Sequence, residues 1–327
     1  MLRGPLLQRS RVLPEPLLRR IIEGTRLRAL GSRGRYAPSP TGRLHLGNLR
    51  TALLSWLITR LQGGVWLLRI DDLDTPRNRP GAEQAILEDL DWLGLRWDQP
   101  LIRQSERRGL YSTVLSWLRR DGHLYACRCS RRLLADVSAP HGAAPIYPGV
   151  CRELRLGWGL EQGRLPSWRL RQAAGRITWQ EQLAAPADLD AVAEVGDVVL
   201  RRADGYIAYH LATVVDEIAL GISDVVRGND LWSATAPQVA LMGVLNSAPP
   251  RYWHLPLLRD AQGHRLSKRD GSQGLAALQE QGFDAAAVVG ELAAQLQLVP
   301  SGSRLSAAEL LQHCCLHDVQ RHLAVKA

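Results

Sequence analysis

The 327-residue chain has no run approaching the roughly 20 apolar residues that a bilayer-spanning helix needs, which argues against a helical membrane protein. It also lacks internal repeats, so a solenoid or propeller is not expected. Cysteine is sparse: five residues in a chain of this length do not make a disulfide scaffold. Cys127, Cys129 and Cys151 cluster, whereas Cys314 and Cys315 are adjacent and poorly placed to pair with each other. The latter two are expected to be small buried apolar residues, and the whole pattern fits a reducing cytoplasm. No unbroken apolar segment precedes a small-residue cleavage site near the N-terminus. Instead residues 1–34 carry eight arginines and only two acids, Glu15 and Glu23. That composition suits either an organelle transit peptide or an overlong start before Gly31, and in both cases a disordered extension is expected at 1–34.

What is present is ordinary for a globular protein: 46% hydrophobic and 22% charged residues, enough for one large domain or two modest ones. Net charge is +9, with 41 Lys+Arg against 32 Asp+Glu. A basic excess suits a polyanionic partner through counterion release. Residues 1–34 hold +6 of it (eight Arg less two Glu), so the body is only mildly basic. A nucleic-acid partner must therefore be argued from motifs.

From Arg35 short β-like runs alternate with amphipathic helical ones. A strand ends near Tyr36-Ala37, and Pro38–Gly42 is a loop by composition. Leu49, Leu53, Trp56, Leu57 and Leu61 recur at helical spacing until Gly63-Gly64. Val65–Ile70 then reads as a buried strand that runs into the acidic loop Asp71–Asp74. Helices follow after Pro80-Gly81 and from about Ser105 to Arg120. Strand, loop, helix, strand, helix is the pattern of a parallel α/β sheet of the Rossmann-like, nucleotide-binding kind. Ligands in such sheets bind at the carboxyl ends of strands, where both loops fall.

Residues 125–195 break this rhythm, with scattered Gly, Pro and Arg and the cysteine cluster. The expected organisation is a first half of the α/β domain at 35–124, an inserted subdomain at 125–195, and a second half of the α/β domain at 196–271. A short helical C-terminal region at 272–327 completes it.

Two segments carry chemistry. In Arg35-Tyr-Ala-Pro-Ser-Pro-Thr-Gly-Arg-Leu-His-Leu-Gly-Asn48 a loop of small residues runs straight into a helix start. Such a start offers free N–H groups to phosphate, while His45 can donate a hydrogen bond and Gly47 leaves room for a nucleotide. In His264-Arg-Leu-Ser-Lys-Arg-Asp-Gly271 basic residues surround a serine in a loop that could clamp phosphates. Either segment alone could be a plain junction or a solvated basic loop.

Together they resemble the HIGH and KMSKS signatures of class I aminoacyl-tRNA synthetases. Three further segments resemble glutamyl-tRNA synthetases more closely. They are Arg69-Ile-Asp-Asp-Leu-Asp74, Tyr209-His-Leu-Ala-Thr-Val-Val-Asp-Glu217, which reads as a strand, and Val226-Arg-Gly-Asn-Asp230. Five signatures in order span residues 35–271.

The resemblance implies attack of the glutamate carboxylate on the α-phosphate of ATP. A carboxylate is already an anion at neutral pH, so positioning and charge neutralisation suffice without a general base. His45 and Lys268 would be catalytic, with Mg²⁺ arriving on ATP. Gly47, Asn48 and Ser267 would join them in binding the nucleotide. Arg35 and Arg227 would meet carboxylates, Asp71 the ammonium, and Ser39 and Tyr209 would add hydrogen bonds. Tyr36, Ala37 and Pro38 complete the implied glutamate site. Three positions depart from the family pattern: Asp71 stands where Glu is usual, Thr213 where Asn is frequent, and Asn48 ends the HIGH tetrad.

Three thiolates within 25 residues favour one tetrahedral structural Zn²⁺. The fourth ligand is open on chemistry alone, His141 and His123 being better donors than a phenol. The run Tyr147-x-x-x-Cys151 resembles the zinc site of glutamyl-queuosine tRNA(Asp) synthetases, and that resemblance implies Tyr147. Only 59 residues follow Lys268, too few for the anticodon-binding half of a full-length glutamyl-tRNA synthetase. Both features point to the glutamyl-queuosine group. Its members activate glutamate without tRNA and esterify it to the queuosine base at the wobble position of tRNA(Asp). Alternatives are a minimal synthetase charging the 3′ end of tRNA(Glu), or a non-catalytic RNA-binding relative.

Overall fold

The computed structural model describes residues 13–130, 146–256 and 274–324. Among the described residues there are ten strands: β1 (Arg33–Tyr36), β2 (Val65–Ile70), β3 (Ile102–Arg103), β4 (Leu124–Cys127) and β5 (Ser167–Leu170) come first. Then follow β6 (Arg176–Trp179), β7 (Ala187–Asp190), β8 (Val199–Arg201), β9 (Asp224–Gly228) and β10 (Arg251–Leu255). Of the helices, α1 (Glu15–Ala29), α2 (Leu46–Leu61), α3 (Ala82–Trp92), α4 (Arg108–Arg120), α5 (Tyr209–Ala219) and α6 (Thr235–Val244) belong to the catalytic body. The C-terminal region adds α7 (Leu275–Glu280), α8 (Ala285–Ala294), α9 (Ala307–His313) and α10 (Leu316–Leu323).

The central sheet is entirely parallel, in the order β10-β9-β1-β2-β3. Its strands are short, and β1, β2, β9 and β10 are almost wholly buried, as a crossover-connected parallel sheet requires, although Arg33, Arg35, Arg69 and Arg227 interrupt the apolar residues. Strand order reverses direction between β1 and β9, which opens a crevice at their carboxyl ends. One face is covered by α2, whose Leu49, Leu53, Leu57 and Ile58 are buried, and by α8–α10 packed on α2. The other face carries α4, α5 and α6, with α1 outermost.

The inserted region holds a three-stranded antiparallel sheet, β4-β5-β8, and a hairpin, β6-β7. Two features differ from the expected division at 195. Strand β8 pairs with β5, so the inserted sheet reaches Arg201. The hairpin's Ile177 and Trp179 pack with Val225 and Tyr252 of the catalytic sheet, because their alternation buries one hairpin face there.

Residues 13–29 are not a disordered extension. Leu17 and Ile21 are buried against α5, and Gly24 lies so close that an added Cβ would sit 1.7 Å from the Ile218 carbonyl oxygen. The spacing of 17, 21 and 24 puts one small apolar stripe on a helix whose Arg19, Arg20 and Arg26 are exposed, while Arg28 is half-buried and donates to the Ala248 carbonyl at 2.7 Å. Residues 209–217 form helix α5, not a strand: Leu211, Val214, Val215 and Ile218 lie on one helical face and override the β preference of the Val pair. Cys315 is exposed rather than buried, its Sγ 3.0 Å from Asp318. Among the described residues no helix is long and apolar enough to cross a membrane.

Candidate functional site

A cavity of about 430 Å³ opens at the carboxyl ends of β1, β2, β9 and β10. Every described residue singled out for glutamate or nucleotide lines it: Arg35, Tyr36, Ala37, Pro38, Ser39, His45, Gly47, Asn48, Asp71, Tyr209 and Arg227. The loops that deliver them are tied together. Asp71 N–H donates to the Pro38 carbonyl at 3.0 Å, and Arg79 N–H to the Pro40 carbonyl at 2.9 Å. Tyr36 lines the cavity, but its ring is buried and stacked on Trp66 at 6.4 Å. Thr213 is fully buried in α5 and is not among the lining residues.

The cations of the site differ in how they are neutralised. Arg35 donates through Nε and Nη2 to Glu217 Oε1 at 3.2 and 3.0 Å, a buried ion pair, and through Nη1 to the Val226 carbonyl. Arg69 forks onto Asp71, Nε to Oδ1 at 2.6 Å and Nη2 to Oδ2 at 3.0 Å. Burial pushes the Asp71 carboxyl above its ordinary value, and the Arg69 charge only partly opposes this. Behind them Asp216 accepts from Arg107, Gln104 and Tyr111 and lies 3.7 Å from Arg69.

Arg227 is held otherwise. Its donors go to Gln238 Oε1 at 2.9 Å, Thr235 Oγ1 at 2.6 Å, His254 Nε2 at 3.2 Å and, more loosely, the Tyr209 hydroxyl at 3.4 Å. No described carboxylate lies within ion-pair distance of Arg227. The site therefore combines a buried guanidinium held by neutral groups with a carboxylate, Asp71, that lines the same cavity. A guanidinium so held suits a carboxylate, and an acid such as Asp71 suits an ammonium group.

Beside it α2 begins at His45, whose carbonyl accepts from Asn48 and Leu49. The N–H groups of Leu46 and Gly47, in its first turn, have no intrahelical acceptor and suit an anionic ligand. Ser267 and Lys268 lie outside the described residues. The described ends of that segment both meet this corner: Pro256 lines the cavity and accepts from Arg50, and Gly274 forms a bridge with His45.

The cysteine cluster lies in the inserted sheet. Cys127 on β4, Cys129 and Cys151 place their sulfurs within 4.8 Å of one another, and Cys129 and Cys151 are 3.5 Å apart. The Tyr147 hydroxyl oxygen is 3.4 Å from Cys127 Sγ and 3.5 Å from Cys129 Sγ, and accepts from Cys151 N–H at 2.8 Å. A Zn–S bond of about 2.3 Å in a tetrahedron needs sulfurs about 3.8 Å apart, so the donor set fits zinc. Burial raises the Cys127 thiol, but hydrogen bonds with Tyr147 and Arg169 outweigh it and hold the thiol below its ordinary value. Burial pushes Cys129 up to about 11 and the Tyr147 phenol well above its usual range. His123 is elsewhere, paired with Asp121 at 2.9 Å, and His141 lies outside the described residues.

Several residues of the site were not anticipated: Arg69, Asp216 and Glu217, and the Thr235–Gln238–His254 cradle of Arg227. Arg69, Asp216 and Glu217 stand inside quoted signatures, where their charge was visible but their partners were not.

Residues 32–301 match the family described as tRNA synthetases class I (E and Q), catalytic domain. The chain is 55% identical over 303 residues to a glutamyl-Q tRNA(Asp) synthetase of Prochlorococcus marinus (strain MIT 9313), covering 93% of this chain and 94% of that one. It is 58% identical to the protein of that name from Synechococcus sp. (strain CC9605), with 92% and 96% coverage. Among solved structures it resembles a glutamate tRNA ligase from Elizabethkingia meningosepticum in complex with its amino acid. That match has a TM-score of 0.73 and 27% identity, and covers 90% of this chain and 66% of the ligase.

Proposed function

The chain belongs to the class I tRNA synthetases of the E and Q type, with relatives throughout its length named glutamyl-Q tRNA(Asp) synthetase, and on that basis we propose the following reaction. It activates L-glutamate with ATP, without tRNA, and passes the glutamyl group to the queuosine base at the wobble position of tRNA(Asp). One observation supports the first step above others: a single crevice joins Arg227, Asp71 and Arg35 to the helix start at His45.

In that crevice Arg227 receives the side-chain carboxylate of glutamate and Asp71 the ammonium, with Ser39 and Tyr209 bonding the remaining polar groups. The α-carboxylate oxygen attacks the α-phosphorus of ATP, the bond to the bridging oxygen breaks, and pyrophosphate departs with its electron pair. His45 and the N–H groups of Leu46 and Gly47 hold phosphoryl oxygens, and Lys268 neutralises the leaving pyrophosphate. Mg²⁺ carried on ATP adds charge neutralisation. An acceptor hydroxyl then attacks the glutamyl carbonyl carbon and AMP leaves. Asp71 is one methylene shorter than Glu, and the Arg69 fork fixes the plane of its carboxylate.

Glutamate-dependent ATP–pyrophosphate exchange should proceed with no tRNA present, and aspartate and glutamine should not replace glutamate. Exchange that required tRNA(Glu) would replace this reading with a minimal 3′-end synthetase, and none in either case would remove enzyme activity altogether.

Cys127, Cys129, Cys151 and Tyr147 would hold one structural zinc that fastens β4 to the 147–151 turn. Elemental mass spectrometry should find about one zinc per chain. Cys151→Ser should lose most of it and lower the melting temperature, because binding free energy at such a site is folding free energy. Metal-free protein that melted as the loaded form does would reject a structural ion. A cytoplasmic location follows from the substrates and the free thiols.

A further inference from the structure

Arg227 is buried, and three of the four residues that hold it, Thr235, Gln238 and His254, do not line the cavity. The key acceptor is His254 Nε2, 3.2 Å from Arg227 Nε and 3.1 Å from Thr235 Oγ1. For Nε2 to accept, the imidazole must be neutral and carry its hydrogen on Nδ1. Glu181 enforces that tautomer: its Oε2 lies 2.6 Å from Nδ1 and its Oε1 accepts the His254 backbone N–H at 3.2 Å. Both side chains are 3% exposed, so water does not compete for these bonds.

Glu181 comes from the inserted region, just after β6. Its placement is secured by the main chain, with Tyr252 N–H donating to the Gln180 carbonyl and Gln182 N–H to that of Tyr252, at 2.9 and 2.8 Å. Tyr252 stacks flat on the His254 ring at 5.8 Å and lies under the Arg227 guanidinium. Burial holds His254 below its ordinary value; the Glu181 hydrogen bond opposes this and the Arg227 charge adds to it.

We infer that Glu181 and His254 are positioning residues: the carboxylate fixes the imidazole tautomer, the imidazole fixes the Arg227 fork, and the fork selects the substrate's side-chain carboxylate. Neither residue lines the cavity. The inserted region thereby acts on amino-acid selection as well as carrying the cysteine cluster. The inference rests on Arg227 being the carboxylate receptor.

The test is ATP–pyrophosphate exchange by full-length protein bearing Glu181→Ala, Glu181→Gln or Arg227→Ala. Glu181→Ala should raise the KM for glutamate by about 10- to 100-fold, with kcat and the KM for ATP within about threefold of wild type. Glu181→Gln, whose amide oxygen can still accept from Nδ1, should recover much of that loss. Should Arg227→Ala leave the glutamate KM unmoved, the receptor reading falls and takes this inference with it. Should Arg227→Ala raise it while Glu181→Ala does not, the inference alone is overturned. A readout that does not depend on a variant folding is the ¹⁵N spectrum of the wild-type histidines. His254 should appear at neutral pH as the Nδ1–H tautomer, and an Nε2–H tautomer or an imidazolium there would refute the dyad.

Discussion

Arg227→Ala should lower kcat/KM for glutamate in pyrophosphate exchange by about 10²–10³-fold, since truncating one partner of a buried, hydrogen-bonded charge pair costs about 3–4 kcal/mol. Arg227 is 4% exposed, so a carboxylate that meets its guanidinium is desolvated and gains a charge-assisted contact. The KM for ATP should move little, because the nucleotide contacts proposed above come from the start of α2 and from Lys268. The variant should also remain folded. Arg227's described partners are Gln238, Thr235, His254 and Tyr209, all of which water can satisfy in the space the side chain vacates. Arg227→Lys keeps the charge but not the fork, so about a tenfold deficit should persist. A loss of less than about threefold in Arg227→Ala would remove this residue from the glutamate site.

The prominence of Arg227 in the sequence, against the silence of its supports, shows how far such a chain can be read without coordinates. Segments that line the cavity concentrate glycine, proline and charge at fixed spacing, so Pro38–Gly42, Asp71 and Val226–Asp230 were legible. Their counter-charges were not, because they arrive from far along the chain. Arg35 and Glu217 are 182 residues apart, Arg107 and Asp216 are 109, and His254 and Glu181 are 73. No local pattern encodes those pairings; the sheet order and the inserted hairpin create them. Local chemistry also misled where two preferences competed. The Val214-Val215 pair favours a strand, but burial of one face against α4 and α6 makes α5 a helix. At the N-terminus, arginine-rich composition concealed the Leu17, Ile21, Gly24 stripe that seats α1.

The carboxylate at the centre of this network should matter more to stability than any single pocket residue. Asp216 is fully buried on α5 and accepts from Arg107 Nε at 2.6 Å, Gln104 Nε2 at 3.0 Å and Tyr111 Oη at 2.8 Å. Burial and the adjacent Asp216 charge push the Tyr111 phenol far above its ordinary value, so it remains a donor at any pH the fold survives. Asp216→Ala would leave Arg107 and Arg69 beside an apolar void with part of their charge uncompensated. Breaking a buried pair in this way costs about 3–5 kcal/mol, against about 1 kcal/mol for Tyr111→Phe, which leaves the ions in place. The expected result is a melting temperature lower by about 5–15 °C for Asp216→Ala and by about 2 °C for Tyr111→Phe. Because Arg69 also clamps Asp71, Asp216→Ala protein that does fold should bind glutamate more weakly while its KM for ATP is little changed. Asp216→Asn should fall between, since an amide retains one acceptor but loses the charge that two guanidinium groups share. If Asp216→Ala melts within about 2 °C of wild type, the network is not a keystone of the fold, and α5 must be held by its apolar face against α1, α4 and α6 alone.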